Sequence, residues 1–184
     1  MGGRDPLNRS KRLDGIVRLA PADPSWRALF ETESKRIHRI LGDRVCLLEH
    51  VGSTAVAGLA AKPIIDIVLA VEDSADENSY VPDLEANGYT LRIREPAWFE
   101  HRVLKGPDTD INLHVFTNGS EEVERMILFR DHLRADSDDR AMYEDVKRGL
   151  ADKKWEWVQD YADAKSPVVT EILKRAIAAR ESRP

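Results

Sequence analysis

Apolar residues recur at three- and four-residue spacing over residues 24–41, which predicts an amphipathic helix. The apolar positions are Trp26, Leu29, Phe30, Ile37, Ile40 and Leu41. Asp23 followed by Pro24 is typical of a helix start, since proline fits the first helical position. Gly42 is the expected C-terminal cap. An early helix with one buried face is therefore predicted.

Shorter apolar runs, separated by turn-forming residues, predict the strands of a sheet. The predicted strands span residues 16–19, 46–51, 64–71, 89–94, 99–105 and 111–116. The run at 64–71 is aliphatic almost throughout, which is typical of a strand buried on both faces. A short helix is expected at 82–88, between two of these strands.

After residue 120 the pattern changes to charge-rich helical periodicity. Helices are predicted over residues 121–134, 137–149, 153–164 and 167–181. The fold class is therefore α+β, a mixed β-sheet flanked by helices with a helical C-terminal third. We expect residues 1–14 to form a flexible tail and 15–184 a single domain, with a sheet core at 15–118 and packed helices at 121–181.

The composition, with 42% apolar and 33% charged residues, is that of an ordinary soluble globular protein. The longest apolar run is interrupted by Asp66 and is too short to span a bilayer, so a cytoplasmic protein without a membrane partner is expected. The net charge is −5 and both signs are mixed along the chain, so no basic surface for binding nucleic acid is expected. The lone Cys46, beside two leucines, is predicted to be a buried, unreactive residue.

The most informative stretch begins where the second predicted strand ends in Gly52-Ser53. A strand that turns into a helix through Gly-Ser exposes backbone N–H groups and a hydroxyl group where a phosphate can sit. Thr54 adds a second hydroxyl. Gly52, Ser53 and Thr54 are therefore candidate phosphate-binding residues.

Asp66 lies within an otherwise aliphatic strand. A carboxylate is costly to bury unless it meets a cation, a hydrogen-bond donor or water, so a catalytic or metal-binding role is expected. The alternative is a structural cap or salt bridge. Lys62, four residues earlier, is a second catalytic candidate that could meet a phosphate or simply pair with Asp66.

Two histidines add a candidate metal site. Alternation places Asn112 and His114 on one face of their strand. His50 lies on the strand that leads into the Gly-Ser turn. If their strands share a sheet, His50, Asp66 and His114 converge at its carboxyl end as ligands for a divalent metal. The alternative is that the histidines only form hydrogen bonds within the sheet and orient the turn.

Other polar and aromatic clusters have more ordinary explanations. Arg130 and Arg134 could face a phosphate, but a solvated, ion-paired helix face is the expected use. Trp98 and Phe99 could stack on a base, although packing in the core is favoured.

Five spaced blocks of the sequence resemble the GrpB-like family, which is placed in the nucleotidyltransferase superfamily. The blocks are HVGSTAVAGLAAKPIIDI, NLHVF, FRDHLR, Tyr143 with Lys147, and Tyr161 with Lys165. The resemblance implies mixed strands flanked by helices, with the Gly-Ser turn touching nucleotide phosphates. It adds Lys165 to the nucleotide-binding candidates, and implies that acidic residues on the neighbouring strand hold magnesium.

The sequence departs from the superfamily pattern at the metal ligands. Asp66 matches the first of two carboxylates, but Val68 occupies the position of the second, and a later strand offers Asn112 and His114 instead of a third. Two-metal transfer requires enough anionic ligands for both ions. Either His50 and His114 rebuild a site of different metal preference, or the chain binds a nucleotide without transferring it, or it no longer acts on nucleotides at all.

Three hypotheses follow. The first is a metal-dependent enzyme that transfers a nucleotidyl or phosphoryl group from an NTP to a small molecule, with Mg²⁺ or another divalent metal. The second is a nucleotide-binding accessory protein without turnover. The third is a metal-dependent enzyme of other chemistry that uses histidine and aspartate ligands.

Overall fold

The computed structural model describes residues 12–182. The strands are β1 (Arg12–Gly15), β2 (Leu47–Val51), β3 (Ile65–Val71), β4 (Thr90–Glu95), β5 (His101–Lys105), β6 (Ile111–Thr117) and β7 (Trp155–Trp157). The helices are α1 (Ser25–Leu41), α2 (Val81–Ala86), α3 (Glu121–Ala135), α4 (Ser137–Ala151), α5 (Val158–Ala164) and α6 (Ser166–Glu181). The predicted α+β class with a helical C-terminal part is confirmed.

The main sheet is mixed, with strand order β2-β3-β6-β5-β4. Strands β3 and β6 run parallel at its centre, and the other neighbouring pairs are antiparallel. The register places Asp66 opposite Asn112 and Val68 opposite His114. Because facing residues share a side of the sheet, all four side chains lie on the same face.

The opposite face of β3 packs against helix α1. Ile65, Ile67, Leu69 and Val71 of β3 form one buried cluster with Trp26, Ile37 and Leu41 of the helix. The helix ends at Gly42, whose φ of +57° suits glycine and whose N–H donates to the His38 carbonyl. This packing explains the aliphatic alternation that predicted both elements.

The C-terminal helices contact the sheet and the turn that follows β2. Val123 of α3 packs on Val68 and Phe116 of the central strands. A second cluster joins this turn to α3, α4 and α6, through Val56, Leu59, Leu133, Tyr143 and Ile172. The single-domain organisation stays a prediction, which limited proteolysis would test.

Two predictions at the ends of elements are wrong. The first strand is Arg12–Gly15, antiparallel to β7, whereas residues 16–19 do not form a strand, and Val17 is buried against Tyr161. Three residues of the expected tail thus lie in β1, and residues 1–11 lie outside the described residues. Cys46 is exposed, because the edge strand β2 begins one residue after it. No described helix is long and apolar enough to cross a membrane.

Candidate functional site

The Gly-Ser turn lies directly against Asp66. Strand β2 ends at Val51, and Gly52 then adopts φ +71° and ψ −173°, a conformation essentially restricted to glycine. A Cβ atom at Gly52 would lie 2.6 Å from Oδ2 of Asp66. Ser53 then begins a short 3-10 helix. The glycine is therefore needed both for the turn and for the close approach to the carboxylate.

Asp66 is held as a carboxylate by its neighbours. Its Oδ1 accepts a hydrogen bond of 2.7 Å from the Asn112 amide and lies 3.6 Å from Nε2 of His114. Burial alone would raise the pKa of Asp66, but His114, Asn112 and Lys62 outweigh burial and hold that pKa below its ordinary value. Asp66 lies near the amino end of β3, so the predicted location at the carboxyl end of the sheet is wrong for the parallel pair.

A chain of hydrogen bonds orients His114. Glu95 Oε2 lies 2.8 Å from Nδ1 of His101, and Nε2 of His101 lies 3.0 Å from Nδ1 of His114. The bond from His101 holds the pKa of Glu95 low, so the carboxylate accepts the Nδ1 proton of His101. The next hydrogen bond, between Nε2 of His101 and Nδ1 of His114, fixes the orientation of the His114 ring. The Nε2 atom of His114 faces Oδ1 of Asp66.

His50 does not join Asp66 and His114. The register pairs His50 with Ile67, whose side chain lies on the α1 face of the sheet. Its ring stacks on Phe30, with 4.8 Å between ring centroids, and burial lowers the pKa of His50 to about 4. The predicted convergence of all three residues is therefore wrong, and the alternative that His50 orients the turn fits the structure.

Thr54, like His50, supports the turn rather than facing Asp66. Its Oγ1 lies 3.0 Å from Nε2 of His50 and donates to the carbonyl of Ile64 at 3.3 Å. The Thr54 side chain is buried. Of the two predicted hydroxyl ligands, Thr54 supports the turn from within, and Ser53 is the one that faces the cluster described next.

Lys147 of α4 reaches the turn from the C-terminal helices. Its Nζ donates to Ser53 Oγ at 3.1 Å and to the carbonyl of Ala60, and lies 4.9 Å from the ring centroid of Tyr143. Burial raises the pKa of the Tyr143 hydroxyl, and the nearby Ser53 acts in the opposite direction. Lys147 is 2% exposed, and burial lowers its pKa to about 7. A buried amine thus sits beside the serine of the turn.

Two more lysines surround the ring of Tyr161. The Nζ atoms of Lys62 and Lys165 lie 5.4 and 4.8 Å from its centroid. Burial lowers the pKa of both lysines, that of Lys165 to about 8, whereas the nearby Asp66 acts in the opposite direction. In the described chain Lys62 forms no direct ion pair with Asp66. We call Lys62, Lys147 and Lys165, with the hydroxyl groups of Ser53, Tyr143 and Tyr161, the lysine cage.

One hydroxyl of the lysine cage has no partner. The side chain of Tyr161 is 1% exposed, and its hydroxyl group forms no hydrogen bond with any described residue. Burial raises the pKa of Tyr161 to about 12, so the group is a neutral donor. A buried, unsatisfied donor is costly. An anion in the cage would supply the missing acceptor.

Arg130 and Arg134 hold the two ends of the turn. Arg130 is 6% exposed, and its Nη1 donates to Glu49 at 2.6 Å and to the His50 carbonyl at 2.9 Å. Arg134 donates from Nε and Nη2 to the Ala55 carbonyl at 3.0 and 2.9 Å. The prediction of a solvated helix face is therefore wrong for Arg130, since helix α3 packs its basic side chains onto the turn.

The residues around Asp66 would fit one divalent cation rather than two. Oδ1 of Asp66 and Nε2 of His114 are close enough to share an ion at about 2.1 Å. Magnesium typically takes one or two carboxylates and completes its shell with water and substrate phosphates. Because Val68 supplies no second carboxylate, the residues fit a single ion completed by substrate.

A different trio meets a distance criterion for metal ligands. Among the described residues, atoms of His132, Asp136 and Asp139 lie within 4.8 Å of one another. Asp136, however, caps helix α4, and Asp139 pairs with both His132 and Arg175. The helix cap and the two ion pairs therefore explain why these three side chains lie together.

A separate groove of about 1080 Å³ opens beside the edge strand β2. It is lined by Phe30, His50, Arg134 and Arg140, among others, and by residues 54–58 behind the turn. Arginines and carboxylates are mixed along its walls. Neither Asp66 nor any lysine of the cage lines this groove, so the groove is distinct from the candidate site.

The fold is that of the nucleotidyltransferases. The structure of Cid1 in complex with its short product ApU superposes with a TM-score of 0.50 at 15% identity, over 70% of this chain and 42% of Cid1. A crystal structure of the conserved protein GrpB from Enterococcus faecalis agrees more closely, with a TM-score of 0.77, 28% identity, and coverage of 90% of this chain and 100% of that one.

The chain belongs to the GrpB protein family, whose family model matches residues 16–175. The UPF0157 protein BH1888 of Halalkalibacterium halodurans is 63% identical over 168 residues, covering 91% of this chain and 86% of that protein. A dephospho-CoA kinase of Mycolicibacterium paratuberculosis is 31% identical over 87% of this chain but only 46% of its own length. The predicted resemblance is confirmed.

Sequence reasoning missed several residues of the site. Lys147 and Tyr143 appeared only as a family block, although their four-residue spacing puts them on one helix face. The sequence pattern did not single out His101, which orients His114. Trp98 and Phe99, expected in the core, are 41% and 44% exposed at the turn between β4 and β5.

Proposed function

We propose that this protein binds a nucleoside triphosphate and transfers a nucleotidyl or phosphoryl group from it to a small molecule. The observation that carries the proposal is the meeting of the Gly-Ser turn, one carboxylate, one buried lysine and two half-buried lysines at one end of a nucleotidyltransferase-type sheet. Phosphates need both hydrogen-bond donors and positive charge. The lysine cage offers both beside Asp66.

Each part has a separate role in this proposal. Ser53 and the backbone N–H groups of the turn bind phosphate oxygens, and Lys62, Lys147 and Lys165 balance their charge. Asp66, oriented by Asn112, would hold Mg²⁺ or another divalent cation together with a substrate phosphate. When bound, such an ion neutralises charge that develops on the transferred group.

The fold neighbours support nucleotide chemistry in general terms. Cid1 was solved with a dinucleotide product, ApU, and shares this fold at low sequence identity. The kinase named among the relatives matches this chain over less than half of its own length, so its activity belongs to that whole protein. The proposal therefore rests mainly on the residues of the lysine cage.

A second candidate function is nucleotide binding without turnover. Val68 replaces a carboxylate on β3, and the amide of Asn112 already donates to Asp66. These two features favour binding over transfer, since they reduce the number of anionic metal ligands. The third hypothesis, a metal site of His50, Asp66 and His114, loses its first ligand to the other face of the sheet.

Isothermal titration with ATP and the other NTPs, with and without Mg²⁺ or Mn²⁺, tests the proposal. Ser53→Ala should weaken binding roughly ten- to a hundredfold, by loss of a hydrogen bond to a charged group. Ser25→Ala, at an exposed serine of α1, is the control and should bind as the wild type does. Absence of binding at millimolar NTP with either metal would contradict both nucleotide-based functions.

Product analysis separates transfer from binding. Asp66→Asn removes the anionic ligand and should keep the fold, because asparagine still accepts from Asn112 through its amide oxygen. Under the transfer proposal the wild type, supplied with the metal and a small-molecule acceptor, releases pyrophosphate if it transfers a nucleotidyl group or a nucleoside diphosphate if it transfers a phosphoryl group, and Asp66→Asn loses that release. If the wild type consumes no NTP with any acceptor while binding it, the accessory function is the correct one.

A further inference from the structure

We infer that the lysine cage binds its polyphosphate ligand together with a proton, which Lys147 takes up. This inference rests on the proposed function and concerns how the same site is regulated. The three amino groups lie at the rings of Tyr143 and Tyr161, with Asp66 near Lys62 and Lys165 and with Glu144 near Lys147. Like charges brought this close disfavour one another, so the free cage lowers its own charge by losing protons.

Of the three lysines, Lys147 should lose its proton most readily. It is almost fully buried, its two hydrogen bonds go to the neutral acceptors Ser53 Oγ and the Ala60 carbonyl, and no carboxylate forms an ion pair with it among the described residues. The charged and titratable groups around it are Glu144 and Arg148 on its own helix, Lys165 between α5 and α6, Tyr143 and Tyr161 at the ring faces, and Lys62 and Asp66 beyond them.

These neighbours explain why the protonation of Lys147 is poised near neutral pH. Burial lowers its pKa to about 7, and the positive charges of Lys165 and Arg148 act in the same direction. Glu144 opposes them, but its carboxylate is engaged by Arg148 and by the N–H of Ala60. Above pH 7 the amine of Lys147 is therefore largely neutral in the free protein.

A bound polyphosphate reverses this balance. Several negative charges beside Lys147 favour the ammonium form, and the proton comes from the solvent. The unpartnered hydroxyl of Tyr161 gains an acceptor in the same step. The ligand should therefore be a polyanion such as a triphosphate, because a monoanion would not compensate three ammonium groups. Binding should weaken as pH rises, since the free protein then has to gain a proton to bind.

Calorimetric titration of the whole protein with ATP at pH 8, in Tris and in HEPES, measures the protons taken up. The two buffers differ in ionisation enthalpy, so the difference in heat reports proton uptake. At this pH a terminal phosphate with a last pKa of about 6 is already ionised. We expect uptake of about one proton per ATP at Lys147, with a smaller further uptake at Lys165, and an affinity that falls at least roughly tenfold between pH 7 and pH 8.5.

Two variants assign the proton to Lys147. Lys147→Arg carries a permanent charge, so the uptake should fall by about one proton and the affinity should lose most of its pH dependence. Lys147→Met removes the amine and should also abolish this uptake, which keeps the test valid if arginine does not fit. Lys105→Arg, at a half-buried lysine paired with Asp110 outside the cage, is the matched control and should leave the uptake unchanged.

The outcomes distinguish the two proposals. Equal uptake in the wild type and both Lys147 variants, or ATP binding without uptake at pH 8, would overturn the proton coupling and leave nucleotide binding intact. Inorganic tripolyphosphate that binds with uptake, when no nucleotide binds, would support the proton-coupled cage and reject the nucleotide function. If neither ATP nor tripolyphosphate binds, both proposals are wrong.

Discussion

Gly52 and Asp66 are packed so closely that any side chain at Gly52 would enter the space of the carboxylate. A Cβ atom there would lie 2.6 Å from Asp66 Oδ2 and 3.0 Å from Asp66 Cβ. The backbone of the turn and the acidic side chain therefore form one unit, although the turn follows β2 and Asp66 lies in β3. This relation fixes where a phosphate on the turn and a cation on the carboxylate would meet.

Gly52→Ala should destabilise the fold and disrupt the site. The φ of +71° is strained for alanine, and the new Cβ would displace Asp66. We expect a loss of about 2–4 kcal/mol in the free energy of unfolding, measured by urea denaturation. Gly58→Ala is the matched control, since Gly58 has φ +81° but nothing within 4 Å of its Cβ position. Equal losses in the two variants would show that the contact with Asp66 is unimportant.

Arg134→Ala should destabilise the turn, although Arg134 itself is not expected to contact the ligand. The variant removes two hydrogen bonds to the Ala55 carbonyl, and we expect a loss of about 1 kcal/mol in stability with a several-fold weaker affinity for ATP. Arg125→Ala on the same helix is the control, because its side chain is 47% exposed, close to the 45% of Arg134, and pairs only with Glu122. An unchanged ATP affinity in Arg134→Ala would argue against this support.

The stability of the protein should depend on pH through His50. The folded-state pKa of about 4 lies below the ordinary 6.5, so the unfolded chain binds the proton more readily. The contribution of His50 is fully present above pH 6.5 and is lost as the pH falls toward 4, by about 3 kcal/mol. His50→Gln keeps a hydrogen-bond donor for Thr54. Its free energy of unfolding, measured with urea, should therefore fall less than that of the wild type between pH 6.5 and pH 4. His38→Gln, at an exposed histidine of α1, is the control, and its free energy of unfolding should fall as much as that of the wild type.

Metal binding should depend on Asp66 and not on His50. In the presence of ATP, Mn²⁺ binding followed by electron paramagnetic resonance should be lost or weakened at least tenfold in Asp66→Asn, because the carboxylate is the anionic ligand. His50→Gln should bind Mn²⁺ as the wild type does, since the ring of His50 packs on Phe30. A strong effect of His50→Gln alone would restore the metal site first predicted from the sequence.

The local parts of the site could be predicted from the sequence. Gly52-Ser53 after a strand, and Asp66 within an aliphatic strand, each depend on a few neighbouring residues, and the structure brings them together. The helices and most strands follow from periodicity for the same reason. Asn112 and His114 also lie on the expected face of β6, because alternation within one strand fixes it.

Relations between distant elements could not be predicted in this way. Whether His50 faces Asp66 depends on the register of β2 against β3, and the observed register pairs Val51 with Asp66. A shift of one residue would have placed His50 on the other face. Lys147 and Ser53 are separated by 94 positions, so only the packing of α4 on the turn reveals their contact.

A crystal structure with a non-hydrolysable ATP analogue and Mn²⁺ tests the central claim most directly. The account predicts phosphate oxygens within hydrogen-bond distance of Ser53 Oγ and of at least two lysines of the cage, with the Tyr161 hydroxyl donating to one of them. It also predicts an anomalous manganese peak about 2.1 Å from an Asp66 carboxylate oxygen. Phosphates bound instead in the groove beside Arg140, with Ser53 and the lysine cage untouched, would contradict it.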